Sequence, residues 1–351
     1  MTVETVRLAP DYAISRVVRG GWQLAGGHGP IDKERAIDAL IAAFDAGLTT
    51  FDCADIYTGV EELHGALRSR LLATRGAEAA ANLKVHTKLV PDLSLLPNLR
   101  PSDVEAIVDR SLRRLRVERL DLVQLHWWDY AVPGWLDAIG WLDRLSAKGK
   151  VRHVGGTNFD RIRVEAILNA GIRLLSMQVQ YSLLDPRPEG AFADFCRSRG
   201  VALLCYGAAA GGFLSERWLG AAEPTAPLEN RSLVKYKLIV DDFGGWGLLQ
   251  DLLSALKAIA DRRGADIASV ASRAMLDRPE VAAVIVGARS SAHVAANAAA
   301  TALRLDPQDH AEIAAVTSRR RGPCGEVYEL ERDRAGRHGA IMKYNLNREV
   351  A

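Results

Sequence analysis

Short apolar runs alternate with amphipathic stretches along most of this chain, the former with strand-like length and the latter with helical spacing. Residues 17–22 form a first strand-like run ending in Gly20 and Gly21. Residues 48–51 form a second, set off by Ala46 and Gly47, where a helix stops and a buried strand begins. Further strand-like runs occupy residues 82–88, 120–126, 151–156, 174–179, 201–206 and 281–286. Helical spacing fills the intervals. Residues 32–46 put Ala36, Ile37, Leu40, Ile41 and Phe44 on one face with Asp32 as N-cap. Pro101–Leu115 does the same with Val104, Ile107, Val108, Leu112 and Leu115. Helical patterns also cover residues 61–73, 134–147, 161–169, 189–198 and 292–302.

Unbroken alternation of strand and helix implies parallel pairing with right-handed crossovers. Eight such units in one series, with no linker, point to an α/β fold of the (β/α)8 or TIM-barrel type. This would be a single domain over residues 1–351, with the barrel at about 16–305. An open doubly wound sheet does not fit, because no G-x-G-x-x-G follows the first strand. Two segments exceed the pattern. Residues 207–248, a long loop after strand 7, read as either a lid or a disordered loop. Residues 322–351 form a C-terminal tail in which 326–332 and 341–345 mix apolar and aromatic residues into charge. That is unlike a disordered extension, so the tail is expected to pack on the barrel.

Composition narrows the function classes. Of 351 residues, 48% are hydrophobic and 25% charged, as in an ordinary globular protein. The net charge of +2 gives no global field for nucleic acid or an anionic membrane, so neither is expected as a partner. No run approaches the ~18 apolar residues of a membrane span, and residues 1–10 lack an apolar leader core; a cytoplasmic location is the default expectation. The four cysteines contain no C-x-x-C and the eight histidines no H-x-H or H-E-x-x-H, so neither a disulfide framework nor a metal site is expected. A metal-dependent hydrolase barrel therefore lacks its ligand motif.

The strand ends carry the chemistry. Asp52 closes the second run and Tyr57 follows it; taken alone they read as a turn cap and a half-buried aromatic. The next two runs, however, end in Lys88 and His126, so three consecutive strand ends present Asp/Tyr, Lys and His at the carboxyl mouth where barrel enzymes do chemistry. This ordered set resembles the aldo-keto reductase family, over roughly residues 16–297. The resemblance implies an NADP-dependent oxidoreductase that reduces a small-molecule aldehyde or ketone to an alcohol, or runs the reverse, with NADPH/NADP as cofactor and NADH as the alternative. It places the catalytic tetrad on Asp52, Tyr57, Lys88 and His126. Tyr57 would donate the proton, Lys88 would favour the phenolate, Asp52 would hold the ammonium, and His126 would orient the carbonyl. For Asp52 and Lys88 the plain structural reading, a salt bridge between strand ends, is part of the same proposal.

The resemblance also assigns a pocket. Trp22, Tyr57, His126 and Trp127 would contact substrate, and Gly21, Trp22, Asp52 and Thr157 would border the cofactor. Asn158 and Gln178 would bind the carboxamide, and Tyr206 would stack on the nicotinamide. Gly207, Ala209 and Leu214 lie in a glycine-rich run offering amides to the pyrophosphate. Gly287, Arg289, His293 and Asn297 would receive the 2′-phosphate and adenine, with Arg289 at a helix start. The chain departs from the family pattern at Thr157, where serine is usual, at His293, where arginine or glutamine is usual, and at Ala296, where glutamate is usual. Barrels of this family also serve as cofactor-sensing beta subunits of potassium channels, which is the alternative reading.

Overall fold

The computed structural model describes residues 3–26, 29–225, 227–288 and 291–347. The chain opens on an antiparallel hairpin, β1 (Thr5–Ala9) and β2 (Tyr12–Ser15). The barrel follows, alternating β3 (Val17–Gly20), α1 (Lys33–Asp45), β4 (Thr50–Asp52), α2 (Val60–Asn82), β5 (Lys84–Leu89), α3 (Pro101–Leu115), β6 (Leu120–His126), α4 (Trp135–Ala147), β7 (Val151–Thr157), α5 (Arg161–Asn169), β8 (Ser176–Gln180), α6 (Ala191–Ser198) and β9 (Ala202–Tyr206). Then come α7 (Arg231–Phe243), α8 (Trp246–Arg263), α9 (Ile267–Leu276), β10 (Val281–Val286), α10 (Ser291–Ala299), α11 (Pro307–Thr317) and the short α12 (Glu329–Arg332). The strands close in the order β10-β3-β4-β5-β6-β7-β8-β9, all parallel, which is the (β/α)8 barrel that the alternation implies.

Local chemistry explains the boundaries. Asp32 caps α1 by accepting from the Arg35 amide at 3.2 Å, and Asp160 caps α5 by accepting from that of Arg163 at 2.9 Å. Pro101 sits at the first turn of α3, where its missing N–H leaves nothing unpaired. Helix α2 runs past the expected end at residue 73, to Asn82, with a break at Gly76 (φ 87°).

The pleat sorts residues into two layers. Outward-facing positions pack against the helices as the main core, with Phe51, Val85, Val123, Leu125 and Val154 all buried. Inside, Tyr12 and Ile14 of the hairpin close the amino-terminal end against Val18, Leu122, Leu204 and Ile285. The Tyr12 hydroxyl lies 3.1 Å from His86 Nε2. At the carboxyl end the inward positions are polar, and register aligns them: Gly20 pairs with Asp52, Lys88 with Gln124, His126 with Thr157, and Thr157 with Gln178. One end of the barrel is thus plugged and the other carries hydrogen-bonding groups.

The segment after β9 is not a disordered loop. It holds 3-10 turns and the amphipathic α7, whose Leu233, Tyr236, Ile239, Val240 and Phe243 are buried, so apolar burial orders it. The hairpin, α8, α9 and α11 are additions to the elements that the sequence pattern predicted.

Candidate active site

Asp52 and His126 end β4 and β6, Lys88 is the penultimate residue of β5, and Tyr57 comes from the turn after β4; all four side chains line one cavity of about 680 Å³. The Lys88 ammonium donates to Asp52 Oδ2 at 2.7 Å and to the Cys53 carbonyl at 2.8 Å. Gln178 Nε2 donates to the other Asp52 oxygen at 2.7 Å, so both carboxylate oxygens are held. Lys88 Nζ lies 5.1 Å from the centre of the Tyr57 ring, which also meets Trp22 in a tilted pair at 5.1 Å between centroids.

Electrostatics follows from burial. Desolvation raises the Tyr57 phenol above its usual range, and this outweighs the downward pull of Lys88. Tyr57 therefore carries its proton at neutral pH. Burial alone would lower Lys88, but Asp52, through its charge and the hydrogen bond it accepts, helps to outweigh burial, and the ammonium is favoured. His126 is driven down to about 3, by burial first and by Arg332 second, so the ring is neutral. Its Nδ1 lies 3.3 Å from the Thr157 carbonyl; since a carbonyl only accepts, Nδ1 carries the hydrogen and Nε2 keeps a lone pair. That Nε2 is buried and without a partner.

Farther along the cavity, Thr157, Asn158, Gln178 and Tyr206 line the wall. Asn158 adopts a left-handed backbone (φ 63°), and its Oδ1 accepts from the Tyr206 hydroxyl at 2.9 Å, which fixes the tyrosine ring. Gly207, Ala209 and Leu214 border the cavity with backbone and aliphatic side chains. A Cβ on Gly207 or Gly211 would meet the Tyr236 ring system at 2.5 Å, so only glycine lets this stretch pass beneath α7. Gly287, His293 and Asn297 line the cavity too, and Asn297 Nδ2 donates to the Gly287 carbonyl at 3.1 Å. Arg289 lies outside the described residues. A largely apolar cavity of this size with convergent polar groups and a glycine-rich wall has the character of a cofactor or small-molecule site.

Two expectations require correction. Trp127 does not wall the pocket: His126 faces the cavity, so its successor points to the opposite side, where the indole is 0% exposed and donates to the Asp129 and Val132 carbonyls at 3.0 Å. Trp128 takes that place, edge-on to His126 at 4.3 Å with its Nε1 donating to Pro91 O. Gly21 is absent from the lining; its amide donates to Asp52 O at 2.7 Å, so it serves the joint between β3 and β4, and Gly20 borders the cavity instead.

The tail supplies groups that sequence reasoning missed. Tyr328 packs edge-on to His126 with centroids 5.3 Å apart. Arg332 donates to the Asn158 carbonyl at 2.6 Å and stacks 3.9 Å from the Tyr130 ring centre. Glu331 is buried and accepts from Arg187 at 2.8 and 3.0 Å; Asp185 shares that guanidinium, and Lys235 of α7 lies 3.7 Å away. Beyond it the Tyr344 carbonyl accepts from the Leu93 amide at 2.8 Å and the Tyr344 ring meets Trp128. The tail is thus a strap across the mouth from the end of β7 to the end of β5.

Residues 16–318 match the sequence profile of the Aldo/keto reductase family. The flagellar radial spoke protein 5 of Chlamydomonas reinhardtii is 27% identical over 71% of this chain and 58% of its own length, so the chain spans little more than half of that protein. The NADH-specific methylglyoxal reductase of Escherichia coli is 24% identical over 85% of this chain and 93% of its own. Among solved structures, the glycerol dehydrogenase of Gluconobacter oxydans superposes with a TM-score of 0.75 at 24% identity, covering 93% of this chain and 98% of that one, a likeness of fold. No described helix is long and apolar enough to cross a membrane.

Proposed function

The chain belongs to the aldo/keto reductase family, and from that premise we propose that it interconverts a small aldehyde or ketone and its alcohol with a nicotinamide dinucleotide. NADPH is the preferred form in this reading, and NADH is the alternative that the name of the E. coli relative brings. When bound, the nucleotide supplies or takes the hydride at the carbonyl carbon. Tyr57, kept protonated by burial, gives its proton to the carbonyl oxygen, and the Lys88 ammonium stabilises the phenolate that forms. Asp52 keeps Lys88 in place, and its other oxygen accepts from Gln178. Trp22 and Trp128 confine the carbonyl to the space between Tyr57 and His126.

His126 takes a different part from the carbonyl donor expected from the sequence. With Nδ1–H committed to Thr157, Nε2 accepts a hydrogen bond, so it holds the hydroxyl of the alcohol. Tyr206, tethered to Asn158, offers a flat face for the nicotinamide. The free buried thiols Cys53, Cys196 and Cys205 accord with a reducing, cytoplasmic setting.

The observation that carries this reading is the buried Lys88–Asp52 pair at 2.7 Å beneath the phenol of Tyr57. Its test is oxidation of NADPH and NADH against a panel of aldehydes, ketones and sugars. Turnover with at least one carbonyl supports the reading, and none with any member rejects it. The strap over the mouth favours a second reading, a slowly exchanging cofactor-sensing subunit; it would bind nucleotide tightly and turn over slowly across the panel.

A further inference from the structure

One cation on the cavity wall has no part in the proton chemistry. Lys235 of α7 lines the cavity with a side chain that is 17% exposed. Three tyrosine rings flank its ammonium, with centres 5.2 Å (Tyr206), 5.6 Å (Tyr328) and 5.8 Å (Tyr236) away, and these cation–π contacts hold it in position. Tyr328 in turn packs on His126, so one ring links the ammonium to the tetrad. The charge is loosely matched. Glu331 Oε1 lies 3.7 Å away, beyond hydrogen-bond distance, and both oxygens of that carboxylate already accept from Arg187 at 2.8 and 3.0 Å. Burial lowers the Lys235 pKa from its ordinary value and Glu331 restores only part of the loss, so a further anion beside the ammonium is favourable.

The surroundings favour the same sign of ligand. After burial, the charges that lower His126 are those of Arg332, Lys88 and Lys235, and Arg332 forms no ion pair among the described residues. The acids on the described cavity wall are committed elsewhere: Asp52 to Lys88 and Gln178, Glu216 to the Ile267 amide at 2.8 Å, and Asp266 to the Ser269 amide at 2.6 Å. Lys343 of the strap also borders the cavity and is exposed. A neutral substrate leaves this positive field unanswered, whereas an anionic one answers it in a site that salt screens less than a surface.

We propose that Lys235 sets the substrate class: the carbonyl compound carries a carboxylate, which the ammonium receives while the carbonyl faces Tyr57. The inference rests on the reading of the cavity as the site of carbonyl reduction. Lys235 touches the substrate away from the reacting atoms, so it determines specificity through binding and moves no proton.

Steady-state kinetics of the full chain test it with matched pairs: 4-formylbenzoate and its methyl ester, and short aliphatic oxo acids and their methyl esters, each with NADPH and with NADH. The parent is expected to prefer the acid of a pair. In Lys235→Met the ratio of kcat/KM for acid over ester should fall about tenfold or more, through KM rather than kcat, because a charge-assisted hydrogen bond remote from the reacting carbon serves substrate and transition state alike. Lys235→Arg should retain the preference, and Lys235→Gln serves if the methionine variant does not fold. A parent that favours no acid over its ester, or a folded neutral variant with an unchanged ratio, would overturn the inference and leave the carbonyl reading standing. A neutral variant that keeps the ratio but loses nucleotide affinity in a fluorescence titration would assign the ammonium to a nucleotide phosphate and overturn it as well. If the parent reduces no carbonyl at all, the carbonyl reading fails and takes this inference with it.

Discussion

Tyr328, in the C-terminal strap, sits edge-on to His126 of β6 with ring centres 5.3 Å apart and planes at 87°. An element added after the barrel therefore touches a ring that lines the cavity. Edge-to-face pairs of this kind are worth ~0.5 to 1.5 kcal/mol, too little to hold the fold but enough to shape a pocket. Tyr328→Ala is expected to change KM and the ranking of carbonyl substrates while nucleotide affinity stays within about twofold. Unaltered selectivity in that variant would separate the strap from the substrate site.

The strap is anchored by a buried carboxylate. Burial acts to raise Glu331, but Lys235 and Arg187 hold it at about 2 against an ordinary value of 4.5. Because the folded pKa is depressed, its stabilisation is present above pH 4.5 and lost as pH falls toward 2. The shift corresponds to roughly 3 kcal/mol at neutral pH. Glu331→Gln should flatten the stability profile across that window and lower the melting temperature at pH 7. A parallel acid limb in variant and parent would place the titration elsewhere.

Three buried histidines give a second pH dependence. His64, His86 and His126 are each driven from 6.5 to about 3, chiefly by burial. They stay neutral in the folded state and take up protons on unfolding, so stability declines as pH drops below 6.5 toward 3. Urea midpoints should be lower at pH 5 than at pH 7.5; equal midpoints would contradict the burial of these rings. The neutrality of His126 also means that the rate profile should lack a histidine inflection near pH 6.5.

The sequence made the barrel legible because two periods alternate without interruption, and it exposed the tetrad because Asp52, Lys88 and His126 lie at or within one residue of a strand's carboxyl end. Parity was legible too: Trp127 and Trp128 adjoin His126, and alternation along a strand selects the second of them for the cavity. The strap and α7 were less accessible. Their contacts join residues such as Arg332 and Asn158, or Glu331 and Arg187, across more than a hundred positions, and no local period encodes such pairing.

Lys88 should tune Tyr57 as well as hold a charge. Removing it takes away the positive charge that pulls the phenol down, so the Tyr57 pKa rises further and the phenolate is harder to form. Lys88→Met should lower turnover and move the alkaline limb of alcohol oxidation to higher pH. A lysine with a purely structural role would reduce the melting temperature and leave the pH profile where it was.

The central claim is that Tyr57 is the proton donor at this mouth, and Tyr57→Phe tests it most directly. The substitution removes one oxygen and keeps the ring that packs on Trp22. Carbonyl turnover and nucleotide affinity are measured on the same preparation. The account predicts a fall in turnover of about 10²-fold or more with nucleotide affinity unchanged; turnover near that of the parent would contradict it.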